Sequence, residues 1–455
     1  MENLFERVNK NRRPMNVNRL IALAFAGIIL FGALLLCLPF SSRSGTSCGF
    51  RTALFTATSS TCVTGLILAD TWTQWSGFGQ TVIITLIEIG GLGFMSIASF
   101  VIFAFKKKMN INQRLAMAQS IGVSDMGDAV RMQKRMLLGC LIVEGSGALI
   151  LTARFIPKYG FWVALKLGFF HSISAFCNAG FDILGFETPG QSLIPYGTDP
   201  IVIITLSLLV IIGGLGYIVW DETVRIHSPK KWSVYTKLVL ISTGSLLILG
   251  AVGIYITEWN NPETLGELST PGKFIAGFFQ SVTARTAGFD GLNQGGMTEA
   301  GKAVTMFLML IGGSSGSTAG GLKTVTFIVL ILFMWSRLRD RDEINVFNRS
   351  IPSKLVLNAL TIFGIMVTMS FLGAAFICAT SPVTFTDALY EAVSAIATVG
   401  LTTGITPSLS IPAQFLLIIY MYFGRVGILT ISFGFLQKKP SELKYKYAET
   451  SLLIG

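Results

Sequence analysis

Four times along this chain a short apolar segment runs into a glycine turn and then into a long apolar stretch. The turns read "SSTCVTGLILAD", "SAFCNAGFDI", "TARTAGFDGL" and "SAIATVGLTTG", centred on Gly65, Gly180, Gly288 and Gly400. An aromatic stands ten residues before each: Phe55, Phe170, Phe278 and Tyr390. Repetition on this scale dictates a repeat architecture before any single residue is weighed. An apolar segment of about 10 to 14 residues closed by glycine is too short to span a bilayer, so each is expected to be re-entrant, entering and leaving on one side. One such glycine alone would simply permit close helix packing; four of them point to a shared axis.

Eight longer apolar stretches, 18–40, 78–105, 136–156, 198–220, 238–257, 303–336, 355–379 and 411–436, each reach the roughly 20 residues that a span needs. With 51% hydrophobic residues, 13% charged and a mean hydropathy of +0.64, the chain reads as an integral membrane protein. The first span is preceded by Arg12, Arg13 and Arg19 without a small-residue cleavage site, so it is read as an anchor rather than a signal peptide. The net charge of +11 is not a nucleic-acid patch. Segments 1–19, 106–135, 221–237, 337–354 and 438–455 hold 25 of the 35 Lys and Arg but 11 of the 24 acids. That asymmetry predicts that both termini and three loops are cytoplasmic, with membrane lipid as the surrounding partner and no nucleic acid. The repeats then divide the chain at 1–105, 106–220, 221–336 and 337–455.

The six cysteines lack paired or zinc-type spacing and are expected to pack structurally. His171 and His227 are too few for a histidine-based metal site. A second glycine cluster recurs in the following spans as "IGGLG" at Ile89 and at Ile212, "IGGSSG" at Ile311 and "FGRVG" at Phe423.

Helical carbonyls are already hydrogen-bonded and cannot replace a cation's hydration shell, whereas extended backbone lining a watery cavity can. The strands Val63-Thr64-Gly65, Asn178-Ala179-Gly180, Thr286-Ala287-Gly288 and Thr398-Val399-Gly400 are therefore expected to form rings of oxygens, a selectivity filter for a monovalent cation. Asp182, Asp290 and Asp70 follow their glycines by two, two and five residues, and are expected to concentrate cations at an outer vestibule. The plainer alternative for each is a loop acid that caps a helix.

The 34 residues of 303–336 would make a helix of roughly 50 Å, well beyond a hydrocarbon core of about 30 Å. A break is expected over Gly312, Gly313, Ser314, Ser315, Gly316, Ser317, Thr318, Ala319, Gly320, Gly321 and Lys323, irregular backbone that is tolerated at membrane depth only inside protein or beside a cavity. Below a filter it would be a gate. The same stretch nearly matches a phosphate-binding loop through Gly316, Gly321, Lys323 and Thr324, but Leu322 separates glycine from lysine and apolar runs bracket it, which argues against a nucleotide site. Arg425, aligned with Gly91, Gly214 and Gly313, is a permanent cation in an apolar span and is expected to form part of the same barrier.

The motifs "IGGLGF", "SISAFCNAGF", "RTAGF", "ATVGLTTG" and "GRVGILT" resemble those of the Trk/Ktr/HKT family of potassium transporters, most closely the Ktr membrane subunit, over about residues 18–436. The resemblance implies an all-α integral membrane fold: four pseudo-symmetric helix, pore loop, helix repeats around one central pore, with eight transmembrane helices and four re-entrant pore helices. It also implies channel-like potassium uptake rather than enzymatic activity, in the cell membrane of a bacterium. A homodimer and a cytosolic RCK/KTN-type nucleotide-binding regulatory subunit (KtrA/KtrC type) follow from it, with the basic segment Lys106 to Arg135 as a docking surface. K+ is the expected cargo; Gly65, where sodium-preferring relatives carry serine, favours K+ over Na+, and sodium activation stays open. Cys177 and the pair Thr402 and Thr403 depart from the family pattern without removing a filter carbonyl. A sodium- or proton-coupled secondary carrier is the alternative, with the intramembrane acids Glu88 and Glu144 as its candidates.

Overall fold

The computed structural model describes residues 17–93, 126–341 and 343–427. The expected docking segment lies outside them as far as residue 125, as do both expected cytoplasmic termini.

Each repeat begins with a long helix: α1 (Val17–Leu36), α4 (Met126–Tyr159), α8 (Val234–Glu258) and α12 (Ser353–Thr380). These contain the four helices long and apolar enough by themselves to cross a membrane among the described residues. Their outer faces carry exposed Leu34, Leu149, Ile256 and Leu372. An outward apolar face is what lipid, rather than water, stabilises. A shorter helix follows in each: α2 (Phe50–Thr61), α5 (Phe161–Phe176), α9 (Thr270–Thr283) and α13 (Phe385–Ile396), the re-entrant segments that the sequence pattern implies. They pack tightly because buried alanines, among them Ala53, Ala57, Ala175, Ala276, Ala392 and Ala395, let neighbouring backbones approach.

The second helices are α3 (Gly77–Leu92), α6 (Pro200–Leu215), α10 (Glu299–Leu310) and α14 (Ile411–Val426). Ser76, Asp199, Thr298 and Ser410 cap them, each side chain accepting from the first turn. Of the expected spans 78–105, 198–220 and 411–436, the parts 94–105 and 428–436 lie outside the described residues. The helices α3, α6 and α14 stop at Gly93, Gly216 and Gly427, whose φ/ψ of 83°/143°, 85°/149° and 91°/128° are nearly identical. After Gly216 the chain turns by 95° into α7 (Tyr217–Arg225). The last glycine of each cluster is thus a stop, because that left-handed backbone strains any residue with a Cβ. In the third repeat the helix breaks from Ile311 to Lys323 before α11 (Thr324–Leu338), as its excess length requires. A small antiparallel hairpin, β1 (Ile344–Val346) with β2 (Arg349–Ile351), lies between α11 and the long helix of the fourth repeat.

Candidate functional site

All four short helices end in the same way. Cys62, Cys177 and Ala397 close α2, α5 and α13 and are followed by Val63, Asn178 and Thr398 at φ of 55°, 58° and 51°. In the third repeat Arg285 stands between the cap Ala284 and Thr286, which takes the equivalent conformation at φ 66°. Two residues on, Gly65, Gly180, Gly288 and Gly400 are also left-handed, at φ 101°, 68°, 76° and 98°. Left-handed β-branched residues cost on the order of 1–3 kcal/mol each. Their recurrence at one position marks a conformation held by its surroundings.

The strands close a ring. A Cβ on Gly65 would lie 2.6 Å from the Ala179 carbonyl oxygen, and one on Gly180 2.7 Å from that of Ala287. Gly288 abuts the Val399 oxygen, and Gly400 abuts the Thr64 oxygen. Each repeat therefore touches the next in chain order, and the oxygens of Thr64, Ala179, Ala287 and Val399 converge between four glycines. Each strand is tied to its own short helix. The N–H groups of Gly65 and Gly400 donate to Ser59 Oγ at 3.1 Å and Ser394 Oγ at 3.0 Å. Ser174 Oγ donates to the Phe181 oxygen at 2.7 Å, and Thr283 Oγ1 to that of Phe289 at 2.8 Å. The helix C-termini face the ring, and their partial negative charge favours a cation there.

In the third repeat the stretch from aromatic to glycine is one residue shorter, so the buried aromatic of its short helix is Phe279, nine residues before Gly288, while Phe278 is 37% exposed. The ten-residue spacing therefore selects the wrong phenylalanine there.

Past the glycines Asp290 and Asp182 lie within electrostatic reach of one another, Asp182 of Asp70, and Asp290 of Glu391. Glu391, buried on α13, accepts hydrogen bonds from Thr402 Oγ1 and, at 2.9 Å, from Thr406 Oγ1. It extends the series Asp70, Asp182 and Asp290 to four acids, one per repeat. Sequence reasoning missed it because it precedes its glycine; an acid in an otherwise apolar short helix was the available signal. Asp70 also has the plainer role, accepting from Thr73 N at 2.8 Å and Gly190 N at 3.2 Å.

At the opposite face lies the break in the third repeat. Gly312 and Leu322 pair across its neck, Gly312 N donating to the Leu322 oxygen at 2.9 Å. Gly320 packs on Thr398, a Cβ on Gly312 would lie 3.2 Å from Thr286 Cγ2, and Thr318 Oγ1 donates to the Phe176 oxygen at 3.0 Å. The segment thus sits against the first residues of the third and fourth strands and against the last residue of α5. Ser314 N donates to the Gly214 oxygen at 2.9 Å and Tyr235 Oη to that of Ser315 at 2.9 Å, while Ser317 Oγ bonds the Ser314 oxygen and Lys323 Nζ that of Ala319. Ser315 and Gly316 form the exposed tip; Gly313 and Ala319 are buried, and Gly321 approaches Ala397. Arg425 donates to the Thr318 oxygen of this segment and to the Gly90 and Gly91 oxygens of α3, the last at 3.1 Å. Arg285, also missed as a functional residue, donates from Nη2 to the Gly312 oxygen at 3.2 Å and to Thr324 Oγ1 at 3.3 Å. Two guanidinium groups therefore hold the break in place.

The chain matches the family model described as TrkH, cation transport protein, over residues 31–447. It is 40% identical to the potassium/sodium uptake protein NtpJ of Enterococcus hirae over 99% of both chains. It is 38% identical to the Ktr system potassium uptake protein B of Bacillus subtilis over 95% of both chains, and 36% identical to that of Vibrio alginolyticus over 96% of this chain and 94% of the other. Its fold is similar to the crystal structure of the potassium transporter TrkH from Vibrio parahaemolyticus, with a TM-score of 0.70 at 17% identity, covering 93% of this chain and 86% of that one.

Proposed function

Since this chain belongs to the TrkH family of cation transport proteins, multi-pass membrane proteins and not enzymes, we propose that it is the pore-forming subunit of a Ktr-type potassium uptake system in a bacterial cell membrane. The observation that carries the reading is the closed ring: four strands of matching backbone conformation, each middle carbonyl lodged against the glycine of a neighbouring repeat. Such a ring offers a dehydrated cation the oxygens it loses from water. The acids Asp70, Asp182, Asp290 and Glu391 raise the local cation concentration outside. In this reading residues 1–105, 106–220, 221–336 and 337–455 each contribute one quarter of the pore.

The segment from Gly312 to Lys323 is the gate, and Arg425 and Arg285 are its clamps and a barrier to cations below the filter. The chain works as a homodimer on a cytosolic ring of RCK/KTN-type nucleotide-binding subunits, which moves the gate through α11. Relatives named for potassium uptake, and one for potassium and sodium, support K+ as cargo. Sodium enters as a competitor or activator.

The test is potassium uptake by cells stripped of their own uptake systems, with this chain alone and then with a cytosolic ring protein. Potassium uptake that the ring protein regulates is the expected result; uptake of neither potassium nor sodium overturns it.

A further inference from the structure

Beside the ring, where repeats one and two meet, two acids converge on a thiol. Glu88 of α3, Glu144 of α4 and Cys177 at the cap of α5 each bring a ligand atom to within 4.8 Å of the others, and Cys177 Sγ lies 3.4 Å from Glu88 Oε2. Glu144 is 6% exposed, and its Oε1 has no hydrogen-bond partner among the described residues. A second, independent group points into the same space. The Tyr217 hydroxyl, on a residue 8% exposed, makes no hydrogen bond of ordinary geometry among the described residues; Cys140 acts on it most strongly, and then Cys177, Glu144 and Glu88. Gly91 makes room for the cluster, since a Cβ there would lie 2.8 Å from Cys177 Cβ.

Unpaired buried carboxylates require a proton or a cation. Potassium and sodium are hard ions that take oxygen alone, whereas two carboxylates with a thiolate are the donor set of a borderline divalent metal. In a tetrahedral site with metal–oxygen and metal–sulfur bonds of about 2.1 and 2.3 Å, the sulfur–oxygen edge is roughly 3.5 Å, close to the observed separation. We propose that Glu88, Glu144 and Cys177, with the Tyr217 hydroxyl as a fourth donor, bind one thiophilic divalent cation of the zinc class. The ion would tie α3 to α4 and to the cap of α5, with Tyr217 reaching it from just after the stop at Gly216, a role separate from the transported ion.

The full-length protein, purified and stripped with a chelator, is titrated with Cd2+ alone. Bound metal per chain and the ultraviolet thiolate-to-cadmium band are the readouts. One Cd2+ per chain with that band is expected, displaced by Zn2+, retained in Cys62→Ala and weakened at least about tenfold in Glu144→Gln and Cys177→Ala. Should Cys177→Ala fail to fold, Cys177→Ser keeps the volume and still loses the band. No band in the parent protein, or a band that survives both substitutions at Cys177, overturns the site. So does a protonated-carboxyl infrared band, lost in Glu144→Gln, that persists unchanged in the presence of saturating Cd2+, because a bound metal must displace that proton.

Discussion

At Gly65 the backbone angle and the surroundings make the same demand. The residue is left-handed at φ 101°, and a Cβ would press on the Ala179 oxygen. Gly65→Ser is therefore expected to displace two neighbouring strands and lower the ratio of potassium to sodium uptake. The measurement is uptake of both ions by parent and variant at matched expression, and an unchanged ratio would place Gly65 outside the filter. Arg425 gives a second case. Arg425→Ala leaves three carbonyl oxygens without their charged donor, each such bond being worth about 1.5–3 kcal/mol. Potassium flux is expected to rise while thermal stability falls, and Arg425→Lys should restore charge but not the forked contacts. Flux equal to the parent's in Arg425→Ala would remove the residue from the barrier.

These positions could be read from sequence because glycine and an intramembrane arginine are each costly where they stand. Arg285 could not, since it lies within a motif whose spacing had already been assigned another meaning, and Glu391 falls outside the glycine turn that drew attention. The third repeat is one residue shorter between aromatic and glycine, so counting ten back from Gly288 meets Phe278, although Phe279 is the one that packs.

Among the elements, the break in the third repeat was legible from length alone, whereas the stops at Gly93, Gly216 and Gly427 were not. Hydropathy continues through those glycines, and only their left-handed backbone reveals where the helix ends. The Gly312–Leu322 pairing at the neck of the break makes it removable as a unit. Deleting Gly313 to Gly320 joins Gly312 to Gly321 and takes away the Thr318 bond to Phe176 and the contact of Gly320 with Thr398. Potassium flux is expected to increase and its dependence on the ring protein to fall. A folded deletion protein with lower flux, or with regulation intact, would mean that the segment is a strut rather than a gate.

Across the whole molecule, four non-identical repeats build one nearly symmetric ring because each glycine accepts the carbonyl of a neighbouring repeat, so the site exists only when all four are assembled. The most direct measurement of that claim is anomalous scattering from crystals of the full chain grown in rubidium in place of potassium. Density on the ring axis, enclosed by the oxygens of Thr64, Ala179, Ala287 and Val399 and lost when sodium replaces rubidium, is the expected result. Rubidium bound elsewhere with the ring axis empty would contradict the filter and the potassium pore built on it.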